Sequence, residues 1–398
     1  MSEDKEIQFN SFETGSSEGD DKPVMPVRRH FDESTMKEID NPYQSVHTDE
    51  GKAENPSVEA AGVKSEESNA QKAEAPVSPA SPASAASADK KAVRQSGSGL
   101  RRLVLIVAIL VFIGSAAVIV KFFVDKQQHI RNNEDMANKV EQLEDNTAVG
   151  ADGIFEKYRD LYNQNHDFVG WIKIPNTTIN HPVVKAPDND YYLRRNFTGS
   201  HDRRGTVFMD YRDHVDVLCK NTILYGHNNL DSTMFSDLDN YKNMEFYKTA
   251  PVIEFNTIYH NYKWKIISVF YTNAEDKDDN DYALNYIYPF MTDESFEKYV
   301  YEITVRSLYF PDVDVVKTDK ILTLSTCTRD MDIKGQGETN ARFVIVARMV
   351  RDGESDEVNV NAVVKNPQPR YPQIWYDKYG QVNPYKDAER WFPEGVEY

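Results

Sequence analysis

The sequence predicts a mainly β domain, a closed barrel or sandwich with few helices, carried on one transmembrane helix. Three observations lead there. Many short apolar runs bounded by turn residues follow one another after about residue 168, with one clear helix among them. Leu103 to Val120 contains no charge, and with Leu100 before it and Phe122 to Val124 after it reaches the roughly 20 residues that a bilayer-spanning helix needs. Aromatic residues, scarce before residue 154, recur every few positions beyond it, the composition of a folded core.

Residues 1–99 are rich in Ser, Ala, Glu, Asp, Lys and Pro and include the low-complexity stretch Pro76 to Ser84. Such a segment buries too little apolar surface to offset its ordering entropy, so a disordered tail is expected. The apolar run has no polar face, which excludes a surface helix. Lys90, Lys91, Arg94, Arg101 and Arg102 cluster on its N-terminal side, which by the positive-inside bias predicts a cytoplasmic N-terminus and an external domain. The expected organisation is a cytoplasmic tail over 1–99, a signal-anchor helix over 100–124 and a polar, helical stalk over 125–150. A catalytic domain over 151–352 and a Pro/Tyr-rich tail over 353–398 complete it.

Within the domain, Phe155 to Tyr162 has helical periodicity. Strands are expected at Gly170 to Pro175, Ile179 to Val184, Gly205 to Asp210, Thr222 to Tyr225, Val252 to Asn256, Lys263 to Tyr271, Lys320 to Cys327 and Arg342 to Val350. Thr292 to Thr304 reads as a helix with Thr292 as N-cap and Glu294 and Glu297 near its positive end.

The chain of 398 residues has a formal net charge of −18, which argues against a nucleic-acid partner. It has two cysteines, too few for a disulfide framework. Cys219 is expected to be a reduced, partly buried residue. Cys327, in Thr323-Leu324-Ser325-Thr326-Cys327, closes a strand and is a candidate nucleophile. A thiol needs a base or a nearby cation to react as thiolate. His227, in Tyr225-Gly226-His227-Asn228, follows an apolar strand, and Gly226 permits a sharp exit. Arg342 opens a strand that returns antiparallel after the Cys327 strand, so a strand–loop–strand unit would bring the guanidinium beside the thiol. The acidic run Glu275 to Asp281 lacks the glycine and terminal glutamate of a calcium loop and reads as a solvated loop, so no metal site is expected. No phosphate-binding loop appears.

Together, Thr-Leu-Ser-Thr-Cys, Tyr-Gly-His-Asn and Ala-Arg-Phe-Val-Ile-Val resemble the signature of the sortases. Gly170 to Pro175, His181 to Val184, Asp188 to Leu193, Phe208 to Arg212 and the helix after Thr292 resemble class B in particular. The resemblance covers about residues 150–352. It implies a sortase-type closed β-barrel with peripheral helices and a cysteine transpeptidase without cofactor. Cys327 would attack a Thr carbonyl, His227 would act as general acid and base, and Arg342 would hold the oxyanion. Ser325, Thr326, Asn189 and Leu193 would line the substrate groove. The implied partners are secreted proteins with a C-terminal sorting signal, NPxT-like in class B, and an amine acceptor such as a cell-wall peptide precursor. Asn366-Pro367-Gln368-Pro369 is similar to the start of such a signal, which raises the expectation of a pseudosubstrate in the groove. A pilin-type or other-signal sortase, an L,D-transpeptidase or cysteine protease, and a non-catalytic anchored scaffold are the other readings.

Overall fold

The computed structural model describes residues 98–144, 147–335 and 339–393. The expected disordered tail lies outside them, save its last two residues. Among the described residues, 98–120 form one compact unit and those from Lys121 onward another. The first is wholly helical. It belongs to α1 (Ser98–Gln142), and its Leu, Ile, Val and Phe side chains stand exposed, as in a helix long and apolar enough to cross a membrane.

The second unit holds eight strands closed into a barrel. They are β1 (Phe168–Lys173), β2 (Asn180–Val184), β3 (Val207–Met209), β4 (Asn221–Tyr225), β5 (Val252–Thr257), β6 (Lys263–Asn273), β8 (Ile321–Cys327) and β9 (Ala341–Met349), in the spatial order β1-β2-β3-β4-β8-β9-β6-β5. Antiparallel pairing of β1 with β5 closes the ring, so no edge strand is left exposed. Two pairings are parallel, β2 with β3 and β4 with β8. The second is possible because everything between Tyr225 and Ile321 serves as its crossover connection.

Inside the ring, Ile172, Val183, Leu224, Trp264, Leu322, Leu324, Phe343 and Ile345 form the main core. Outside it, α4 (Asp293–Arg306) lays Phe296, Tyr299 and Ile303, one helical stripe, on Ile267, Phe270, Val344 and Val346. Each such side chain contributes about 1.5–3 kcal/mol when fully buried. The Thr292 hydroxyl accepts from the Ser295 backbone at 3.1 Å, the N-cap expected from sequence. Phe155 to Tyr162 is helical as expected, a 3-10 turn running into α2 (Arg159–Gln164). A further short helix, α3 (Met244–Tyr247), precedes β5.

The segment expected to be a polar stalk does not stand clear of the barrel. Within α1, Met136, Ala137 and Val140 are buried with Tyr158, Leu161, Phe168 and Trp171, and the His129 ring meets Asp202 at 2.7 Å. The C-terminal tail is likewise packed down. Two short strands, β7 (Tyr309–Phe310) and β10 (Val364–Lys365), pair with each other, and α5 (Gln373–Tyr379) ends at Gly380 in the left-handed region. Asn366 is buried, with its amide donating to the Ser307 carbonyl at 2.7 Å. The pseudosubstrate expectation is thereby corrected: Asn366 is held at the end of α4 by Ser307 and Leu308, not beside Cys327.

Candidate active site

Cys327 is the last residue of β8 and the only exposed one in that strand. Its antiparallel partner is Arg342, on the final rung that β8 shares with β9. On the opposite side, β4 runs parallel to β8 with Tyr225 level with Ser325. The Gly226 amide donates to the Ser325 carbonyl at 3.3 Å, and the Thr326 hydroxyl donates to the Gly226 carbonyl at 2.7 Å, which carries the register past the strand end. His227 follows Gly226 directly in the loop that leaves β4. Cys327 thus ends a strand whose two neighbours are β9, which carries Arg342, and β4, which leads into His227.

Glycines allow this crowding. A Cβ on Gly226 would lie 2.6 Å from the Phe235 ring. Gly205, at φ +66°, passes so close that a Cβ would meet the Tyr192 and Leu193 carbonyls at 2.7 and 2.8 Å and the His227 ring at 3.2 Å. The ring itself is held by a 2.8 Å hydrogen bond between Nε2 and the Leu193 carbonyl. A carbonyl only accepts, so Nε2 carries hydrogen and Nδ1 is the nitrogen left for chemistry.

Arg342 is half-buried and donates to the Ala341 carbonyl at 3.2 Å. It forms no ion pair with a carboxylate among the described residues, which leaves its charge for a ligand. The Glu275 carboxyl, held below the usual range first by Lys277 and Asn340, also feels the Arg342 charge. Tyr286 stands behind the thiol. Its phenol is pushed up by burial, stays neutral, and pairs with the Ser325 hydroxyl at 2.7 Å.

The residues expected in the groove divide by chemistry. Ser325 and Thr326 are 3% and 2% exposed, and their hydroxyls are spent on Tyr286 and Gly226. Asn189 uses both ends of its amide, donating to Asp210 at 3.1 Å and accepting from the Tyr211 backbone at 3.0 Å. Leu193 reaches the site through its backbone oxygen. Leu193 thus contacts His227, Ser325 and Thr326 adjoin Cys327 on β8, and the hydrogen bonds described for Asn189 go to Asp210 and Tyr211.

Sequence reasoning missed Tyr286, which lies in no quoted motif, and missed the role of Asp210 beneath the site. Burial opposes ionisation of Asp210, but two hydrogen bonds from Arg212 at 2.8 and 2.9 Å and one from the Tyr225 phenol at 2.8 Å hold it below the usual range. It also missed Arg329, whose guanidinium donates to the Asn228 carbonyl at 3.2 Å and so joins the loop after Cys327 to the loop of His227.

Both cysteines are free, but Cys327 is exposed and Cys219 is buried. Burial pushes the Cys219 thiol up to about 12. Among the described residues no group of three or more His, Cys, Asp or Glu side chains is set to hold a metal ion. Asp276 and Asp279 of the acidic run accept from the backbones of Ala283 and Gln373.

The family profile of the sortase domain matches residues 172–350. The chain is 32% identical over 249 residues to sortase B of Staphylococcus aureus, spanning 62% of this chain and 95% of that protein. It is 36% identical over 195 residues to sortase B of Listeria monocytogenes, spanning 49% and 74%. Among solved structures, a sortase B–substrate complex of Staphylococcus aureus aligns with a TM-score of 0.50 at 32% identity, covering 57% of this chain and 99% of that one.

Proposed function

The chain belongs to the class B sortases, cysteine transpeptidases, and we propose that it cleaves an NPxT-type sorting signal and passes the threonine carbonyl to an amine acceptor of the cell wall. The observation that supports this reading is the pairing of Cys327 with Arg342 on one rung, while β4, the strand on the other side of β8, leads into His227. The Cys327 sulfur adds to the Thr carbonyl as the thiol proton passes to His227 Nδ1. Arg342, free of a carboxylate partner, stabilises the oxyanion that develops. The proton on His227 Nδ1 goes to the departing amine as the peptide bond breaks and a thioester remains. The acceptor amine then gives a proton back to Nδ1 as it attacks the thioester, the C–S bond breaks, and the sulfur takes that proton to regenerate the thiol. A thioester keeps the acyl group activated, so the transfer needs no nucleotide.

The apolar part of α1 anchors the enzyme in this reading. The tail before it is cytoplasmic, and the domain lies outside, where secreted substrates and lipid-linked wall precursors meet. The basic cluster at Arg101 and Arg102 supports that orientation.

Matched fluorogenic peptides test the signal. The full chain in detergent should cleave an NPxT-type peptide, with the activity lost in Cys327→Ala. Faster cleavage of an LPxTG-type peptide would overturn the signal assignment while leaving the chemistry in place.

A further inference from the structure

The segment after Val350 lies beyond the matched sortase domain, yet it touches the loop that follows Cys327 and the segment that carries Tyr286. The first is the loop between β8 and β9. Its Asp330 accepts from the Tyr271 phenol at 2.6 Å and pairs with Lys242 at 2.5 Å, and its Met331 is fully buried. The tail adds a third tie, from the Lys378 ammonium to the Asp330 backbone carbonyl at 2.7 Å. Tyr371 packs on Tyr271 and stacks on Trp375 at 4.0 Å, and Ile374 joins the barrel core together with Met331.

The second is the segment between β6 and α4, which carries Tyr286. Here the Gln373 amide donates to Asp279 at 2.9 Å, and the Arg390 guanidinium donates to the carbonyls of Asn280 and Asp281. The Tyr282 phenol donates to the Trp391 carbonyl at 2.8 Å, and the Trp391 ring meets Tyr288 and Tyr299 edge-on.

We propose that this C-terminal extension is a brace that sets the distance between the two loops beside the thiol, with Lys378 as a positioning residue for capture of the sorting peptide. The extension acts through other groups. Lys378 fixes Asp330, its neighbour Arg329 bridges to Asn228 next to His227, and Tyr286 on the far loop holds Ser325. None of the tail's described contacts is to Cys327, His227 or Arg342 themselves. The brace therefore governs how well the peptide is held, while the bond-making groups keep their places on β4, β8 and β9. This inference rests on the sortase reading for its substrate but not for its geometry.

The test compares the full chain with Lys378→Met and Lys378→Arg in detergent. The Lys378–Asp330 hydrogen bond has a charged donor and so belongs to the stronger class. Lys378→Met is therefore expected to raise KM for the peptide about ten-fold with kcat within about two-fold, and Lys378→Arg to restore most of the loss. Hydrogen exchange at 328–332 should quicken in Lys378→Met, a readout that needs no substrate. Unchanged KM and unchanged exchange would overturn the brace. A wild-type chain that cleaves no peptide would instead strike at the sortase signal, with the exchange comparison still deciding the brace. A fall in thermal midpoint alone, with KM and exchange as in wild type, would reduce the extension to a stabilising tail and also overturn it.

Discussion

Cys327 and Arg342 are direct partners on the last rung shared by β8 and β9, so the backbone ladder itself sets their separation. Because Arg342 has no carboxylate partner among the described residues, its charge is available to a developing oxyanion. Arg342→Lys keeps the charge but loses the planar fork. It should lower kcat by about 10²–10³-fold with a small change in KM, measured by steady-state peptide cleavage. A raised KM with kcat unchanged would place Arg342 in ground-state binding.

Gly226 links the end of β4 to His227 and lies against Phe235. A methyl group there would sit 2.6 Å from the Phe235 ring. Gly226→Ala should cost about 1–3 kcal/mol of stability and should lower activity beyond what that loss explains, since the displaced loop bears the imidazole. Denaturant unfolding beside single-turnover acylation measures both. Normal acylation in a destabilised protein would show that the loop relaxes without moving His227.

Tyr286 and Ser325 share one buried hydrogen bond. Tyr286→Phe strands the Ser325 hydroxyl and should cost about 1 kcal/mol, readable as a shift in urea midpoint. The double variant with Ser325→Ala should recover much of it, because both polar partners are then gone. Additive losses would mean that the pair is not energetically coupled.

His181 supplies a pH dependence of stability. Its ring is buried without a hydrogen-bond partner of normal geometry among the described residues, and burial, aided by nearby His129, lowers it to about 4. The unfolded ring titrates near its ordinary value of 6.5. Between those limits the unfolded chain binds the extra proton, so stability is present above 6.5 and falls as pH drops toward 4. The loss amounts to about 3 kcal/mol. Urea unfolding of the detergent-solubilised chain from pH 7 to pH 4 should show this slope, flattened in His181→Gln. An equal slope in the variant would assign the effect to other groups.

All eight barrel strands are legible in the sequence, because each is a short apolar run closed by turn residues. So is α4, with its cap at Thr292 and its stripe at Phe296, Tyr299 and Ile303. The strands β7 and β10 are not, since two residues carry no period and their pairing depends on the whole fold. Nor is the docking of α1, where Met136, Ala137 and Val140 are diluted among charged neighbours. The three candidate groups could be found because each stands at a strand end beside a distinctive neighbour. What orients them could not. The support for His227 is a backbone carbonyl, the same atom in every residue type, and Tyr286 meets Ser325 only across the fold.

The parallel pairing of β4 with β8 also constrains how the protein comes into being. The two strands pair only when the intervening connection has been wrapped around the barrel, a closure of large sequence separation. While the chain is being made, Cys327 therefore stands without Arg342 on its rung or β4 at its side. In the proposed reading, catalytic competence is a property of the finished barrel, and a chain that misfolds before β8 docks on β4 lacks the proposed partners of its thiol.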